Sequence, residues 1–267
     1  TCVLAAACAI THARADEVRV DVMFSDGFDP IAATVWRIGQ FELRDPHVYY
    51  SFLGCQDVTD TLNANLQQQL DADANGDGFY DTSPLAILKP YSENGVAHIF
   101  ESEDGVCTTD ALPQCTAGAV PPVPRWYQAF NAMPPTVCLG ALPGTTSGYT
   151  PPVPAPDGLC FATTTLDTTL TLGTLSIPLW DTALAAPWPA VNGSTSGGLM
   201  RGFLREADAD QITVDFGTGP VTLSSLLPGG SGSCATNITN GLDNDRNEPG
   251  WWMYLEYRLD AVSATGF

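Results

Sequence analysis

Between residues 69 and 84 the chain reads QLDADANGDGFYDTSP. Asp71, Asp73, Asn75, Asp77 and Asp81 stand at odd-numbered positions, with Gly76 and Gly78 among them. A tight loop turns alternate side chains inward and glycine permits its sharp bend, so this spacing gathers oxygen atoms about one point. Calcium asks for such a set, about six to eight oxygens with no nitrogen or sulfur. Asp73, Asn75 and Asp77 would ligate through side chains, Phe79 through its carbonyl and Asp81 as a closing carboxylate, with Asp71 as an outer or first ligand. Four carboxylates so close together repel one another unless a cation neutralises them, which favours calcium over the alternative of a solvated Asp/Asn/Gly turn. Magnesium, with its tighter octahedron and retained waters, suits the loop less well.

At these residues the sequence resembles the D-x-D-x-D-G-x-x-D calcium loops of thrombospondin type 3 repeats and, more distantly, those of EF-hands and dockerins. The resemblance covers about a dozen of the 267 residues. It departs from an EF-hand where the bidentate Glu should stand: the twelfth position is Thr82 counted from Asp71, or Pro84 counted from Asp73. The exiting SPLAILKPY reads as a strand. The resemblance therefore implies a structural ion joining helix, loop and strand, with no helix pair to open as in a sensor.

Other acidic groups are less complete. Glu206, Asp208 and Asp210 follow a predicted helix, Asp243, Asp245 and Glu248 form an acidic turn, and Asp26 and Asp29 flank a hairpin-like Gly. None has the full glycine-spaced pattern. Of the three histidines, His12 lies in the apolar leader, His47 sits beside a predicted strand, and His98 alternates with Val96 and Phe100 as a sheet residue does. Ser196 lies in STSGG, which lacks the leading Gly and Asp of a trypsin-like serine motif, and no G-x-S-x-G, H-E-x-x-H or phosphate-cradling loop occurs. These features point to a non-enzymatic protein. The rival is a carbohydrate-binding or carbohydrate-active one, presenting Trp126, Tyr127, Trp180, Trp188 or Trp252 to a glycan.

The charge balance narrows the partners. Ten basic against 30 acidic residues give a net charge of -20, a field that repels nucleic acid and anionic membrane surfaces. With 44% apolar and only 15% charged residues, the chain has the means to build a core. The opening TCVLAAACAITHARADE has the form of a secretory signal remnant, with Ala13 and Ala15 before the cleavage point, and it is too short to span a bilayer. If retained, residues 1–15 would add a strand or dock on a neighbouring copy, giving a homo-oligomer or filament. Beyond the leader, six cysteines form an even set without C-x-x-C, as expected of disulfides in a secreted, cell-surface or periplasmic protein. Local loops close most easily, so the expected pairs are Cys107–Cys115 and Cys138–Cys160, leaving Cys55 with Cys234.

The elements that must position the acidic loop are mostly strands. Val18, Val20, Val22 and Phe24 alternate with charged residues; similar alternation marks ATVWRIGQFEL, HVYYSFLG and VAHIFES. The clearest strand is WWMYLEYRLDA, with Trp251, Met253, Leu255, Tyr257 and Leu259 on one face. Such one-sided burial suits an antiparallel sheet. Two helices are expected, one with Leu62, Leu66 and Leu70 at helical spacing, the other over SGGLMRGFLREADAD with Leu199, Phe203 and Ala207 on one face. Residues 105–161 crowd proline between four cysteines, an irregular excursion that disulfides would staple to the surface. The expectation is a single mainly β domain over 16–267, an antiparallel sandwich, jelly roll or barrel-like form with two short helical insertions.

Overall fold

In the computed structural model the described residues are 33–51, 53–89, 98–117, 125–132, 137–172, 175–189, 193–215, 219–232, 234 and 242–267, all within the unit Ala33–Phe267. The predicted strand over 16–24 and the acidic pair Asp26 and Asp29 lie outside them. The strands are β1 (Thr34–Asp45), β2 (Tyr49–Ser51), β3 (Cys55–Asp57), β4 (Pro84–Lys89), β5 (His98–Cys107), β6 (Gln114–Ala117), β7 (Arg125–Ala132) and β8 (Cys160–Thr163). They continue as β9 (Leu166–Leu172), β10 (Leu175–Pro187), β11 (Thr195–Arg205), β12 (Thr213–Asp215), β13 (Pro220–Thr222), β14 (Asp243–Asp245), β15 (Glu248–Ala261) and β16 (Ser263–Thr265). Three helices interrupt them: α1 (Thr59–Leu70), α2 (Glu206–Ala209) and α3 (Leu223–Leu226).

The main sheet runs β5-β4-β1-β15-β11-β10-β8-β7, and β7 pairs back onto β5 through His98↔Ala129 to Ser102↔Arg125. Every pairing in that ring is antiparallel. A ring of this strand number encloses about the width that side chains fill, so its opposing walls pack on one core as the layers of a sandwich do. The mainly β, antiparallel expectation therefore holds. Past the ring, β6 extends the far half of β5 and β16 joins β6 in parallel.

The inward faces follow the strand period. Trp251, Met253, Leu255, Tyr257 and Leu259 all enter the principal core, as their alternation predicts, together with Trp36, Leu88, Phe100, Phe161 and Met200. The wall is also covered outside. Leu199, Phe203, Trp252 and Tyr254 form a second cluster under Leu139, Leu142 and Val153 of the proline-rich segment. Trp252, expected on a polar face and available to a glycan, is instead 7% exposed, its ring 5.5 Å from that of Phe203.

Two of the expected disulfides, Cys107–Cys115 and Cys138–Cys160, are present. Cys55 and Cys234 are not bonded, although their side chains meet; Cys55 is an exposed thiol and Cys234 a buried one. Helix α1 forms where expected, burying Leu62, Leu66 and Leu70. The second predicted helix is corrected. Residues 195–205 are strand β11, and only Glu206–Ala209 is helical. A spacing of four residues is even, so Leu199 and Phe203 share a face in a strand as they would in a helix. Gly198 and Gly202 fit the strand for a further reason: a Cβ would stand 2.6 Å from the Tyr257 ring at the first and 2.8 Å from Thr182 Oγ1 at the second.

Candidate metal centre

The acidic loop joins α1 to β4, the helix–loop–strand order its sequence implies. Asp71 ends the helix. Its N–H donates to the Gln67 carbonyl at 2.9 Å and its carboxylate accepts from Gln67 Nε2 at 2.9 Å. That places its side chain on the helix, apart from the hydrogen bonds that organise residues 73–81. Within those residues, Asp73 accepts the Asp77 N–H on one oxygen and the Gly78 N–H on the other, each at 3.0 Å. Asn75 Oδ1 accepts the Asp77 N–H at 2.9 Å, while its Nδ2 donates to Asp77 Oδ2 at 2.8 Å. Asp77 also accepts the Phe79 N–H, and Asp81 reaches back to the Ala74 N–H at 3.0 Å. Gly76 and Gly78 have φ of 72° and 84°, conformations that L side chains rarely adopt, and this is the role the sequence assigns to them.

The donor set is all oxygen: the side chains of Asp73, Asn75, Asp77 and Asp81, with the Phe79 carbonyl. The bridge between Phe79 and Thr108 is made by the Tyr80 N–H to Cys107 O and the Thr109 N–H to Gly78 O, both 3.0 Å, so the Phe79 carbonyl takes no part in it. The donors thus fit calcium in kind. Their placement is looser than a finished site. Among the described residues, no three His, Cys, Asp or Glu side chains converge closely enough to hold one ion.

The loop is fastened at three points. Its return segment is docked on the end of β5, where the Cys107–Cys115 bridge lies. Arg37, on the outer face of β1 and 3% exposed, donates to the carbonyl of Leu70 at the helix end and reaches the Thr82 carbonyl, past the loop, at 3.5 Å. Its guanidinium lies 3.7 Å above the Tyr80 ring. Burial pulls the Arg37 pKa down, and the charges of Asp71 and Asp260 oppose that pull. Nothing in the sequence marks Arg37 out: it is one polar position in an alternating strand, and only the Arg37↔Leu85 pairing of β1 with β4 brings it beside the loop.

The remaining candidates have other occupations. Asp208 is held by Arg205 at 2.6 and 2.8 Å, and Asp210 accepts the Ser224 hydroxyl, while Glu206 opens α2. In the β14–β15 turn, Arg246 joins Asp167 and Asp181 at 2.7–3.0 Å, with Asp245 beside them and Glu248 opposite Asp245. Asp243 is directed elsewhere, accepting the Trp252 N–H at 3.1 Å. His47 binds Asp57 at 2.6 Å and stacks on Tyr149 at 3.6 Å. Ser196 lies in β11 and His98 in β5. The guanidiniums of Arg205 and Arg246 lie 4.3 and 5.1 Å from the Trp180 ring, and Trp188 packs edge-on to Phe161 at 5.7 Å. Trp126 and Tyr127 lie on β7.

No protein-family model matches this chain, nor does any curated protein or solved structure.

Proposed function

We propose that this is a non-enzymatic extracytoplasmic protein, structural or interactive, whose β domain is stabilised by calcium in the loop Asp73–Asp81. The observation that carries the reading is the loop's organisation: an all-oxygen donor set, two left-handed glycines, and ends tied together by the buried Arg37. Two disulfides support an oxidising compartment, and no described helix is long and apolar enough to cross a membrane. Extracellular modules bind calcium at about 10⁻⁴–10⁻³ M, affinities that extracellular calcium serves. At ten times the dissociation constant the ion adds about 1.4 kcal/mol, which moves the unfolding midpoint of a domain this size by about 3–6 °C.

The test is thermal unfolding of the oxidised protein in calcium and in chelator, for wild type and Asp77→Ala, with particle size followed throughout. Calcium raises the wild-type midpoint by several degrees and the variant loses most of that gain. A change in particle size that follows calcium in wild type alone assigns the ion to self-association as well. An identical midpoint with and without calcium in both proteins removes the reading and returns attention to glycan binding.

A further inference from the structure

Two cysteines meet where the β2–β3 hairpin touches the segment that follows α3. Cys55 opens β3, paired across the hairpin with Ser51, and is exposed, whereas Cys234 is 4% exposed. Their side chains are in hydrogen-bonding contact although 179 positions separate them along the chain. Each is held by its own support. The foot of the hairpin is fixed by Asp57, which accepts the Thr59 N–H at 3.0 Å and the Thr59 hydroxyl at 2.7 Å and binds His47 at 2.6 Å. Ahead of Cys234, Gly230 and Gly232 lie so close against α3 that a Cβ would collide with the Ser224 carbonyl at the first and the Ser225 carbonyl at the second. The Pro228 carbonyl of the same segment accepts Trp251 Nε1 at 2.7 Å. Two thiols brought together by separate fixed frames meet the first requirement of a long-range bridge.

The difference in exposure orders the chemistry. A disulfide in solution reaches Cys55, while Cys234 is reached only by the sulfur already beside it. Desolvation, then the Cys234 thiol and the Asp57 charge, hold the Cys55 thiol up at about 11. The attacking thiolate is therefore scarce at neutral pH and increases about tenfold with each pH unit below that value.

We infer that Cys55 and Cys234 are the site of a third disulfide, closed by exchange with a small-molecule disulfide, Cys55 attacking and Cys234 resolving. The Cys55 thiolate, its proton given to water, attacks one sulfur of the oxidant and breaks its S–S bond. One thiolate leaves with the electron pair and takes up a proton. The Cys234 thiolate then attacks the Cys55 sulfur of the mixed disulfide and displaces the second small thiol. The protein gives up two electrons and two protons, and the oxidant becomes two thiols. The β2–β3 hairpin is a two-stranded sheet of its own, so the bridge would fasten it to the barrel wall through Pro228 and Trp251. None of this rests on the loop at 73–81.

The test uses the full chain and oxidised glutathione. Gentle reduction opens an accessible bridge and spares Cys107–Cys115 and Cys138–Cys160, in which Cys107, Cys115 and Cys160 are buried. On adding oxidised glutathione, intact mass shows a transient adduct of one glutathione, then the loss of two hydrogens. A non-reduced peptide map joins Cys55 to Cys234. The rate rises about tenfold per pH unit between about pH 7 and 9. Cys234→Ser, or Cys234→Ala if the serine variant fails to fold, keeps the adduct on Cys55, whereas Cys55→Ser takes up none. Closing so long a loop raises the unfolding midpoint by on the order of 10 °C. The inference is overturned if folded wild type keeps both thiols in excess oxidant or if its adduct never resolves. Pairing of Cys55 with Cys2, with Cys8 or with Cys55 of a second copy overturns it equally.

Discussion

Arg37→Met separates a loop that is held by the barrel from one that merely follows it. Three contacts matter. The charge-assisted hydrogen bond to the Leu70 carbonyl contributes roughly 1.5–3 kcal/mol, and the cation–π contact with Tyr80 about 1 kcal/mol more. At 3.5 Å the contact with Thr82 is at the limit of a hydrogen bond and adds little. Against these stands a relief of about 1 kcal/mol, because Arg37 Nε is buried without a partner and methionine removes it. The balance is a loss of about 1.5–3 kcal/mol, or roughly 3–12 °C in the unfolding midpoint of a domain this size. Arg37→Lys keeps the charge and loses the planar fork, so it recovers only part of that stability. Calorimetry in calcium and in chelator reads both consequences, the fall in midpoint and a smaller calcium increment once the loop ends are unclasped. If the methionine variant unfolds within a degree of wild type and keeps the full calcium increment, Arg37 is not what holds the loop.

Removing a disulfide as a Cys→Ala pair has a graded effect. Loop closure assigns about 2.5 kcal/mol to Cys107–Cys115 and about 3.4 kcal/mol to Cys138–Cys160, from separations of 8 and 22 residues. Urea titration of the two double variants gives the order, and a larger loss at the shorter bridge contradicts the closure argument. Trp252→Ala costs about 3–5 kcal/mol, because the ring is packed against Phe203; a folded, equally stable variant with altered glycan binding returns Trp252 to a ligand role. Asp57 tests acid stability. Burial raises its pKa, but the Thr59 hydroxyl and amide and His47 outweigh burial, so the net shift is downward. Its stabilisation is therefore present above the unfolded value of about 3.9 and is lost as pH falls through the lower folded one. Asp57→Asn should accordingly be less stable than wild type at neutral pH, and the gap should narrow as pH falls below the unfolded value in urea unfolding; a gap that does not narrow on acidification contradicts the assignment.

What the sequence discloses and conceals here follows the range of the interaction. Trp251 through Leu259 announce an inward face because alternation is a property of the strand itself, and Leu62, Leu66 and Leu70 do the same for α1. The two bridges that form close short loops, which is why proximity along the chain finds them; the meeting of Cys55 and Cys234 spans most of the domain and remains two thiols. Ring closure is invisible because it depends on β5 pairing on one side with β4 and on the other with β7, and pairing partners leave no periodic mark. Trp252 misleads because its neighbours on the same face, Glu256, Arg258 and Asp260, are charged, while the cover over its own end arrives from residues 139–153. In β11, even spacing and burial on both faces erase the alternation that separates strand from helix.

The same reasoning bears on the acidic residues. A local pattern exposes Asp73, Asn75, Asp77 and Asp81 because all four belong to one turn, whereas Asp45 and Asp243 are nearly two hundred positions apart and each looks ordinary alone. Only register joins them: β1 ends opposite Tyr254, β14 opposite Gly250, and both partners lie on β15 within one short stretch. At 73–81 the carboxylates are bound by their own backbone, so an ion would tighten a turn. Calcium dependence confined to residues 72–82 in exchange measurements would therefore assign all of its effect to the turn; dependence that also reaches 142–147 would mean the cover responds as well.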